Sequence, residues 1–317
     1  MRFRTLAPWL RATFGRPVHR VALDAGSTCP NRDGTKGRGG CTYCDVEGSG
    51  TGALRSGEDL ASQLERGLGR IARRRKPGEP AVGAIAYFQS YTNTYVDEGR
   101  LEEMLAVVEP FLGDPVVCVS VATRPDCLPE TSLRTLAGVG RRLPVWVELG
   151  LEAASDAVLL STNRLHTVAE FEDAVARVRA AGLDAVGHAI LGLPGDGREG
   201  ARRTAEVLAR AGVAGVKVHQ LMVLARTQLA GAWRRGEVEV LGPETYVAWL
   251  ADFVERLDPD QVLHRLTGDA PGASLLAPRW DVAKGLIAER LEGELERRGT
   301  RQGSARNARG VGAGDLA

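Results

Sequence analysis

The feature that most constrains the fold of this chain is a regular alternation of short apolar, β-rich runs with segments of helical periodicity. Alternation of this kind is typical of a parallel sheet with right-handed crossovers. The six clearest β-rich runs cover residues 18–24, 81–88, 116–122, 145–151, 184–191 and 215–221. Units of this number and length predict an α/β barrel or a partly open barrel, and a doubly wound sheet is the alternative layout.

Helical patterns lie between these runs. One helix is expected to begin at an N-cap Ser56 and to reach about residue 75, because Glu58 and Asp59 suit a first helical turn. The other helical patterns cover residues 97–111, a short segment after 129, and residues 168–181, 199–211, 243–257 and 282–298. One more short strand is expected at residues 262–266.

Length and charge set the broad class of the protein. With 317 residues and a net charge of +1, the chain suits one barrel or two ordinary domains, and its overall charge demands no nucleic-acid partner. No apolar run approaches the roughly 20 residues that span a bilayer, and the N-terminus lacks the apolar stretch of a secretory signal. We therefore expect a cytoplasmic protein without a membrane partner. The expected domains are an N-terminal segment (1–17), the barrel (18–257), a C-terminal extension (258–298) and a disordered tail (299–317).

Three of the five cysteines fall in one loop after the first predicted strand, with the spacing Cys29-x11-Cys41-x2-Cys44. In a reducing compartment this grouping indicates a metal or catalytic site rather than disulfides. Structural zinc takes four ligands, whereas three thiolates leave one iron of a 4Fe–4S cluster open for another ligand. Zinc with a distant fourth ligand (Cys118, Cys127 or His19) and free buried thiols remain as alternatives.

The segment LDAGSTCPNRDGTKGRGGCTYC, which holds these cysteines, resembles the first motif of the YhcC/YtqA family of radical S-adenosylmethionine (SAM) enzymes. That family is related to the catalytic subunit of Elongator. Further motifs of the family recur in the same order: YFQSYTNTY, TRPDCLP, ELGLE, ILGLPG, VKVH and HRLTGDAP. The resemblance runs from residue 17 to residue 290.

This resemblance implies an α/β fold, the radical SAM partial (βα)6 TIM barrel with a small C-terminal extension. It also implies two cofactors, a 4Fe–4S cluster held by Cys29, Cys41 and Cys44, and SAM bound to the open iron. An electron from an external donor such as flavodoxin or ferredoxin would pass through the cluster and cleave SAM to a 5′-deoxyadenosyl radical, which takes a hydrogen atom from the substrate.

The resemblance further implies a set of SAM-binding residues. Gln89 and Ser90 would hold the amino end of SAM, and Arg164 its carboxylate. Glu148 and Glu152 lie four apart in one strand and are expected on the same face as Gly150, where they would bind ribose hydroxyls or pair with Arg164. In the segment ILGLPG, backbone at Ile190 and Gly192 would contact adenine. A satisfied polar strand end for Gln89 and a solvated loop for Arg164 are the alternatives.

Three residues are candidates to lie near the substrate. His188 and His219 are placed near strand ends and are candidates to line the substrate cavity, and Cys127 is a candidate to face the active site; packed core side chains are the alternative for all three. Cys118 is expected in the core. Arg124 and Asp126 would form an ion pair or touch substrate. The HRLTGDAP segment is expected to cover the barrel mouth and help choose the substrate.

The substrate class follows from the resemblance. The YtqA-like branch is associated with the tRNA wobble uridine, where a carboxymethylaminomethyl group becomes an aminomethyl group, so tRNA is the leading partner. The basic residues 73–76 and the arginine-rich tail are candidate phosphate contacts. The alternatives are a small-molecule or peptide substrate, and a zinc-stabilised binding protein without catalysis. A dinucleotide-dependent dehydrogenase is disfavoured, because no G-x-G-x-x-G follows the first strand.

Overall fold

A parallel sheet forms the centre of the molecule in the computed structural model, which describes residues 1–45, 57–75, 77–97, 99–270, 273–282 and 284–306. Within these residues the strands are β1 (Val18–Leu23), β2 (Gly83–Phe88), β3 (Val116–Thr123), β4 (Val145–Glu152), β5 (Asp184–Leu191), β6 (Gly215–Gln220), β7 (Val223–Leu224), β8 (Val262–Arg265) and β9 (Leu275–Ala277). All six predicted barrel strands are present, and the short strand expected at residues 262–266 joins them as β8.

The order of the strands identifies the architecture. Their order in the sheet is β1-β2-β3-β4-β5-β6-β8, with every neighbouring pair parallel, while β7 and β9 form a separate antiparallel pair. A doubly wound sheet reverses its strand order at a switch point, and this sheet does not. The sheet curls into a half-barrel, so the predicted partial TIM barrel is confirmed and the doubly wound alternative is excluded.

Helices cover the outer face of the sheet. In the described part of the chain they are α1 (Leu6–Phe14), α2 (Pro30–Asp33), α3 (Leu60–Ala72), α4 (Arg100–Ala106), α5 (Glu130–Gly140), α6 (Asp156–Ser161), α7 (Val168–Ala180), α8 (Gly197–Ala211), α9 (Gln228–Arg234), α10 (Pro243–Val254) and α11 (Lys284–Arg297). None of these helices is long and apolar enough to cross a membrane.

Two helix predictions differ from the structure in their bounds. The N-cap of α3 is Asp59, whose side chain accepts from the Ser62 amide at 2.8 Å, and Ser56 lies outside the described residues. The helix expected at residues 97–111 is divided into α4 and a 3-10 helix, Glu109–Phe111. Pro110 lies in this second part, and its missing amide hydrogen prevents a continuous helix.

The two faces of the sheet are filled differently. The outer face packs against the helices in a large apolar core that includes Phe88, Phe171 and Leu208. The inner face is apolar only near the amino ends of the strands, where Ile85 and Trp146 pack in one cluster with Leu6 and Leu10 of α1. The N-terminal segment therefore closes the bottom of the half-barrel, and the fully buried Cys118 lies in this apolar floor, as predicted for a core cysteine.

The C-terminal residues are ordered further than predicted. The segment 299–306 was expected in a disordered tail, but Gln302 is buried, and its amide donates to the carbonyls of Asp258 and Gln261 while its oxygen accepts from the Arg4 amide. These polar bonds fix a segment without an apolar pattern, so the sequence carried no signal for it. Residues 307–317 lie outside the described residues.

A close approach between α3 and β1 gives a test of the packing. A Cβ at Gly67 would lie 2.2 Å from Cγ1 of Val21, whereas a Cβ at Gly69 would meet only the mobile end of Arg73 at 4.0 Å. We expect Gly67→Ala to lower the free energy of unfolding by about 1–3 kcal/mol, because the helix must move away from the sheet. Thermal unfolding measures the effect.

The matched control is Gly69→Ala in the same helix. This change is expected to leave the stability unchanged or to raise it by up to about 1 kcal/mol, because alanine has the higher helix propensity and meets no neighbour. Equal melting temperatures for both variants would contradict the packing of α3 on β1.

Candidate functional site

The cysteine loop begins directly after the carboxyl end of β1. Cys29 is the extended residue that precedes α2, and its carbonyl accepts from the amides of Arg32 and Asp33. Cys41 and Cys44 form a tight turn in which the Cys44 amide donates to the Cys41 carbonyl at 3.0 Å. Between Cys29 and Cys41 the chain reverses at glycines with positive φ, at residues 34, 39 and 40. The glycine-rich stretch therefore allows the loop to fold back.

Hydrogen bonds fasten this loop to the segment that follows β4. The buried Asn31 donates through Nδ2 to the carbonyls of Asn163 (2.5 Å) and Arg164 (3.0 Å). In return, Nδ2 of Asn163 donates to the Gly40 carbonyl at 2.7 Å. The Thr42 amide donates to the carbonyl of Thr162 at 3.0 Å. The cysteines and Arg164, which are far apart in sequence, thus belong to one rigid unit at the barrel mouth.

The surroundings of the thiols favour a bound cation. Asn31 Nδ2 lies 3.6 Å from Cys41 Sγ, and Arg32 donates to Cys44 Sγ at 3.4 Å. Burial and the neighbouring Cys41 raise the pKa of Cys44 to about 11. A thiolate at this position therefore needs a compensating positive charge, which iron provides.

The distribution of ligands fits a cluster better than a single ion. Among the described residues, no three His, Cys, Asp or Glu side chains are placed to hold one metal ion. Of the three distant residues considered as a fourth zinc ligand, Cys118 lies in the apolar floor, Cys127 contacts Asp126, and His19 lies at the amino end of β1, opposite to the cysteine loop. In a 4Fe–4S cluster each thiolate binds a different iron, so the three cysteines can stand further apart.

Buried polar atoms that have no partner among the described residues gather around this loop. Buried polar groups are nearly always hydrogen-bonded, so such atoms indicate a bound group that completes them. At the mouth they are Asn31 Oδ1, Tyr43 Oη, Ser90 Oγ and Arg164 Nε. The residues present therefore fit a cluster with a further polar ligand beside it.

Arg164 is buried at the centre of this group. Its guanidinium donates to the Gly150 carbonyl at 3.0 Å and lies 3.6 Å from Glu152 Oε1. Burial acts to lower the pKa of Arg164, but the neighbouring Tyr43, Glu152 and Cys41 outweigh it and raise the pKa above its usual value. A Cβ at Gly150 would lie 2.4 Å from Nη2 of Arg164 and 2.2 Å from Oε1 of Glu152, so both side chains would have to shift for a larger residue at this position.

Glu152 reaches its place through an irregularity of the strand. The pairing of β4 with β5 shifts register between Gly150 and Glu152, and Glu152 has a φ of 68°. Its carboxylate lies over Gly150, on the face that the sequence predicted. Its partner there is Arg164, which agrees with the predicted pairing of these two residues.

The other expected SAM-binding residues lie at the carboxyl ends of two strands, β2 and β5. Gln89 and Ser90 directly follow β2, and Ser90 is fully buried. Ile190 belongs to the end of β5, and Gly192 follows it with a φ of 94°. The structure thus brings these four residues to the rim where the cysteine loop lies.

Glu148 lies deeper, on the inner face of the sheet, where it is completely enclosed. Its Oε1 accepts from Ser120 Oγ at 2.6 Å, and its Oε2 contacts His188 Nε2 at 2.8 Å and Lys217 Nζ. Burial alone would raise its pKa, but Lys217 and His188 hold the pKa of Glu148 well below its usual range. Both carboxylate oxygens already have partners, so the predicted contact of Glu148 with ribose hydroxyls gains no support from its surroundings.

Lys217 is a charged residue of the lumen that the sequence reasoning missed. It is fully buried in β6, contacts Glu148, and its ammonium lies 4.1 Å from the centre of the Tyr87 ring. Burial lowers the pKa of Lys217 to about 7, against the attraction of Glu148. A lysine between two valines of a buried strand was the available signal, because such a charge requires a partner.

The two predicted histidines belong to this same inner layer. The rings of His188 and His219 are 6.1 Å apart, and both side chains keep some exposure. His219 Nε2 lies 3.4 Å from Arg265 NH1. Nearer the bottom of the half-barrel, Arg20 approaches His264 at 3.4 Å. The half-barrel therefore has a polar lumen above its apolar floor.

Cys127 and its neighbours lie beside the cysteine loop rather than in the lumen. Among the described residues Cys127 contacts Asp126 and Thr94 rather than the lumen histidines, and it borders a cavity of about 530 Å³ beside α7. Burial and Asp126 raise its pKa to about 12. Asp126 forms a buried ion pair with Arg124 and a second one with Lys36 of the cysteine loop, so the ion-pair alternative holds for Arg124 and Asp126.

Comparison with known proteins agrees with this geometry. The model of the radical SAM superfamily matches residues 29–208, and that of the radical SAM C-terminal domain matches residues 213–297. YtqA of Bacillus subtilis strain 168 is 38% identical over 302 residues, which cover 95% of this chain and 92% of YtqA. YhcC of Escherichia coli K12 is 34% identical over 272 residues, covering 86% and 85%.

The fold also matches a solved structure, the archaeal Elp3 of Methanocaldococcus infernus with an N-terminal deletion. The TM-score is 0.69 at 19% sequence identity. The matched region covers 90% of this chain but 64% of the Elp3 chain. The likeness therefore concerns the fold that the two chains share.

The assignment of the cluster ligands can be tested by iron retention. We expect Cys41→Ala to lose the cluster on anaerobic gel filtration, because two thiolates hold it too weakly. Cys118→Ala, which changes a fully buried thiol in the apolar floor, should retain it. Iron and sulfide assays on the eluted protein measure how much cluster each variant retains. Full iron in the Cys41 variant, or loss of iron in the Cys118 variant, would show that a ligand has been misplaced.

Histidine burial makes the stability depend on pH. His166 is buried with neither ring nitrogen bonded, and burial and Arg164 lower its pKa to about 2. The unfolded chain binds a proton below about pH 6.5 that the folded chain rejects, so stability must fall as the pH falls. Between pH 7 and pH 5 we expect the free energy of unfolding of His166→Leu to fall by about 2 kcal/mol less than that of the wild type. Urea unfolding at each pH measures this difference, and parallel curves would refute it.

Proposed function

This chain belongs to the radical SAM superfamily, an enzyme family that uses a 4Fe–4S cluster and SAM, and we propose that its substrate is tRNA, modified on the side chain of the wobble uridine. The observation that carries this proposal is the likeness to YtqA along 95% of the chain. The YtqA-like branch, which the motifs also indicate, is the one associated with conversion of carboxymethylaminomethyluridine to aminomethyluridine.

Cys29, Cys41 and Cys44 would hold the cluster. When bound, the cluster and SAM supply the reductive cleavage of SAM and the abstraction of a hydrogen atom from the substrate. The chain contributes orientation and charge compensation: the loop is fixed by Asn31, and Arg32 lies beside Cys44. An external donor such as flavodoxin or ferredoxin would deliver the electron.

Arg164 would bind the carboxylate of SAM. Its unpartnered Nε and its position in one unit with the cysteine loop support this role. The unpartnered hydroxyl of Ser90 and the neighbouring Gln89 would hold the amino end, and the backbone at Ile190 and Gly192 would face adenine. These groups stand at one rim of the sheet, where a single extended ligand can reach all of them.

The uridine side chain would enter the lumen below SAM. His219 lies two residues nearer the mouth than Lys217, and His188, in register with Lys217, contacts the Glu148–Lys217 pair. Glu148 is then a positioning residue: it orients His188 by accepting from Nε2 and leaves Nδ1 free toward the substrate. Enclosure by the sheet and the cysteine loop would keep water from the reacting atoms.

The test is a single-substrate assay with the reconstituted enzyme. Protein loaded with iron and sulfide under anaerobic conditions is mixed with dithionite, SAM and tRNA that carries carboxymethylaminomethyluridine at the wobble position. We expect 5′-deoxyadenosine to form and the nucleoside to become aminomethyluridine, both measured by mass spectrometry. Replacing dithionite by reduced flavodoxin should give the same products.

Cys44→Ala is the control that should form neither product, because it lacks one cluster ligand. Formation of 5′-deoxyadenosine while every tRNA nucleoside stays unchanged would contradict a tRNA substrate. The radical SAM activity would then stand, and small molecules and peptides would be the substrates to test.

A further inference from the structure

The lumen holds more positive than negative charge. Lys217 has Glu148 as its partner, and at the mouth Arg164 has Glu152. Arg20 and Arg265 also reach the inner side, yet among the described residues neither lies within ion-pair distance of a carboxylate. Enclosed charges are costly unless they are paired. The lumen is therefore short of an anion.

Of the two lumen arginines without a carboxylate partner in the described part of the chain, Arg265 is the one that lies nearer the mouth. It stands opposite Lys217 at the end of β8, and its NH1 extends to His219, which lies two residues nearer the mouth than Lys217. His219 keeps some exposure there, as does His188, which is in register with Lys217, whereas Lys217 itself is fully buried. The guanidinium thus lies at the boundary between the open and the closed part of the lumen.

His219 cannot neutralise this guanidinium. A guanidinium only donates hydrogen bonds, so Nε2 of His219 must accept and the ring proton must be on Nδ1. Burial and the nearby Arg265 keep the pKa of His219 well below its usual range, so the ring is neutral. The contact with His219 therefore leaves most of the five N–H donors of Arg265 for another group.

A carboxylate is the anion that this arrangement fits best. Guanidinium groups bind carboxylates through two parallel hydrogen bonds, and a site that excludes water strengthens the pairing. Two carboxylates come into question, the one on SAM and one on the substrate. Arg164 lies beside the cysteine loop, where it would bind the carboxylate of SAM. Arg265 lies at the end of β8 and is left for a carboxylate of the substrate.

We propose that Arg265 binds a carboxylate on the substrate's side chain and thereby selects a uridine that bears carboxymethylaminomethyl over one that bears aminomethyl. This inference rests on the proposed tRNA function. Arg20 adds positive potential from nearer the floor, and His219 orients the guanidinium. The HRLTGDAP segment then takes part in substrate choice through its arginine.

The experiment measures the binding of two anticodon stem-loop RNAs to the reconstituted enzyme with SAM present. The RNAs differ only at the wobble position, which carries carboxymethylaminomethyluridine in one and aminomethyluridine in the other. Fluorescence anisotropy gives the dissociation constants. The wild type should bind the carboxylate-bearing RNA about 30-fold more tightly, as expected for an enclosed charge pair.

Arg265→Gln should abolish this preference, and Arg265→Lys, which keeps the charge, should retain part of it. Arg279→Gln, at an exposed arginine of the C-terminal segment, is the matched control and should leave the preference unchanged. SAM binding, measured separately by equilibrium dialysis, should be the same in all four proteins. The equal SAM affinity also shows that the Arg265 variants are folded.

Three outcomes would overturn the inference in different ways. Equal wild-type affinity for the two RNAs would remove the carboxylate selection and leave the tRNA function in place. A loss of SAM binding in Arg265→Gln with the RNA preference retained would assign Arg265 to SAM. Wild-type protein that binds neither RNA would refute the tRNA function itself, and the carboxylate assignment with it.

Discussion

The strands of this sheet follow chain order and all run in one direction, and the site depends on that constraint. Every connection from a strand to its helix must then leave the sheet at the same rim. Cys29, Ser90, Arg124 and Gly192 follow four different strands, yet all belong to this rim. Residues that are remote in sequence thus become neighbours without any special connection. The doubly wound order would have divided the same residues between two sides of a switch point.

The inner face of the sheet carries the second requirement, which is the placement of charge where water is scarce. The buried pair of Glu148 and Lys217 joins β4 to β6, and Ser120 and His188 complete the hydrogen bonds of the carboxylate. Taking both charges out of water offsets much of their attraction, so a pair of this kind adds little net stability, but the loss of one partner costs about 3–5 kcal/mol. The pair is better explained by the positions that it gives to the groups above it.

Much of this arrangement could be predicted from the sequence, because local patterns determine it. The residues of β5 were predicted to the residue, and the cysteine spacing identified the loop. What escaped prediction depends on contacts between distant segments. Lys217 looks like an interruption of an apolar strand until Glu148 is placed beside it, and residues 299–306 are held by the amide of Gln302 rather than by an apolar stripe. Helix α1 was missed because its short apolar face is explained only by the floor that it covers.

The side chain of Asn31 has a consequence for how the enzyme is assembled. One amide nitrogen reaches the carbonyls of Asn163 and Arg164 and approaches the sulfur of Cys41. A ligand that fixes the sulfur also fixes the backbone of Arg164, and a ligand that fixes Arg164 restrains the sulfur. Binding free energies that share a common element are coupled, and the coupling acts equally in both directions. Loading of a metal centre at Cys41 and binding of a ligand at Arg164 are therefore linked equilibria, and a change in the free energy of one changes the other by the same amount.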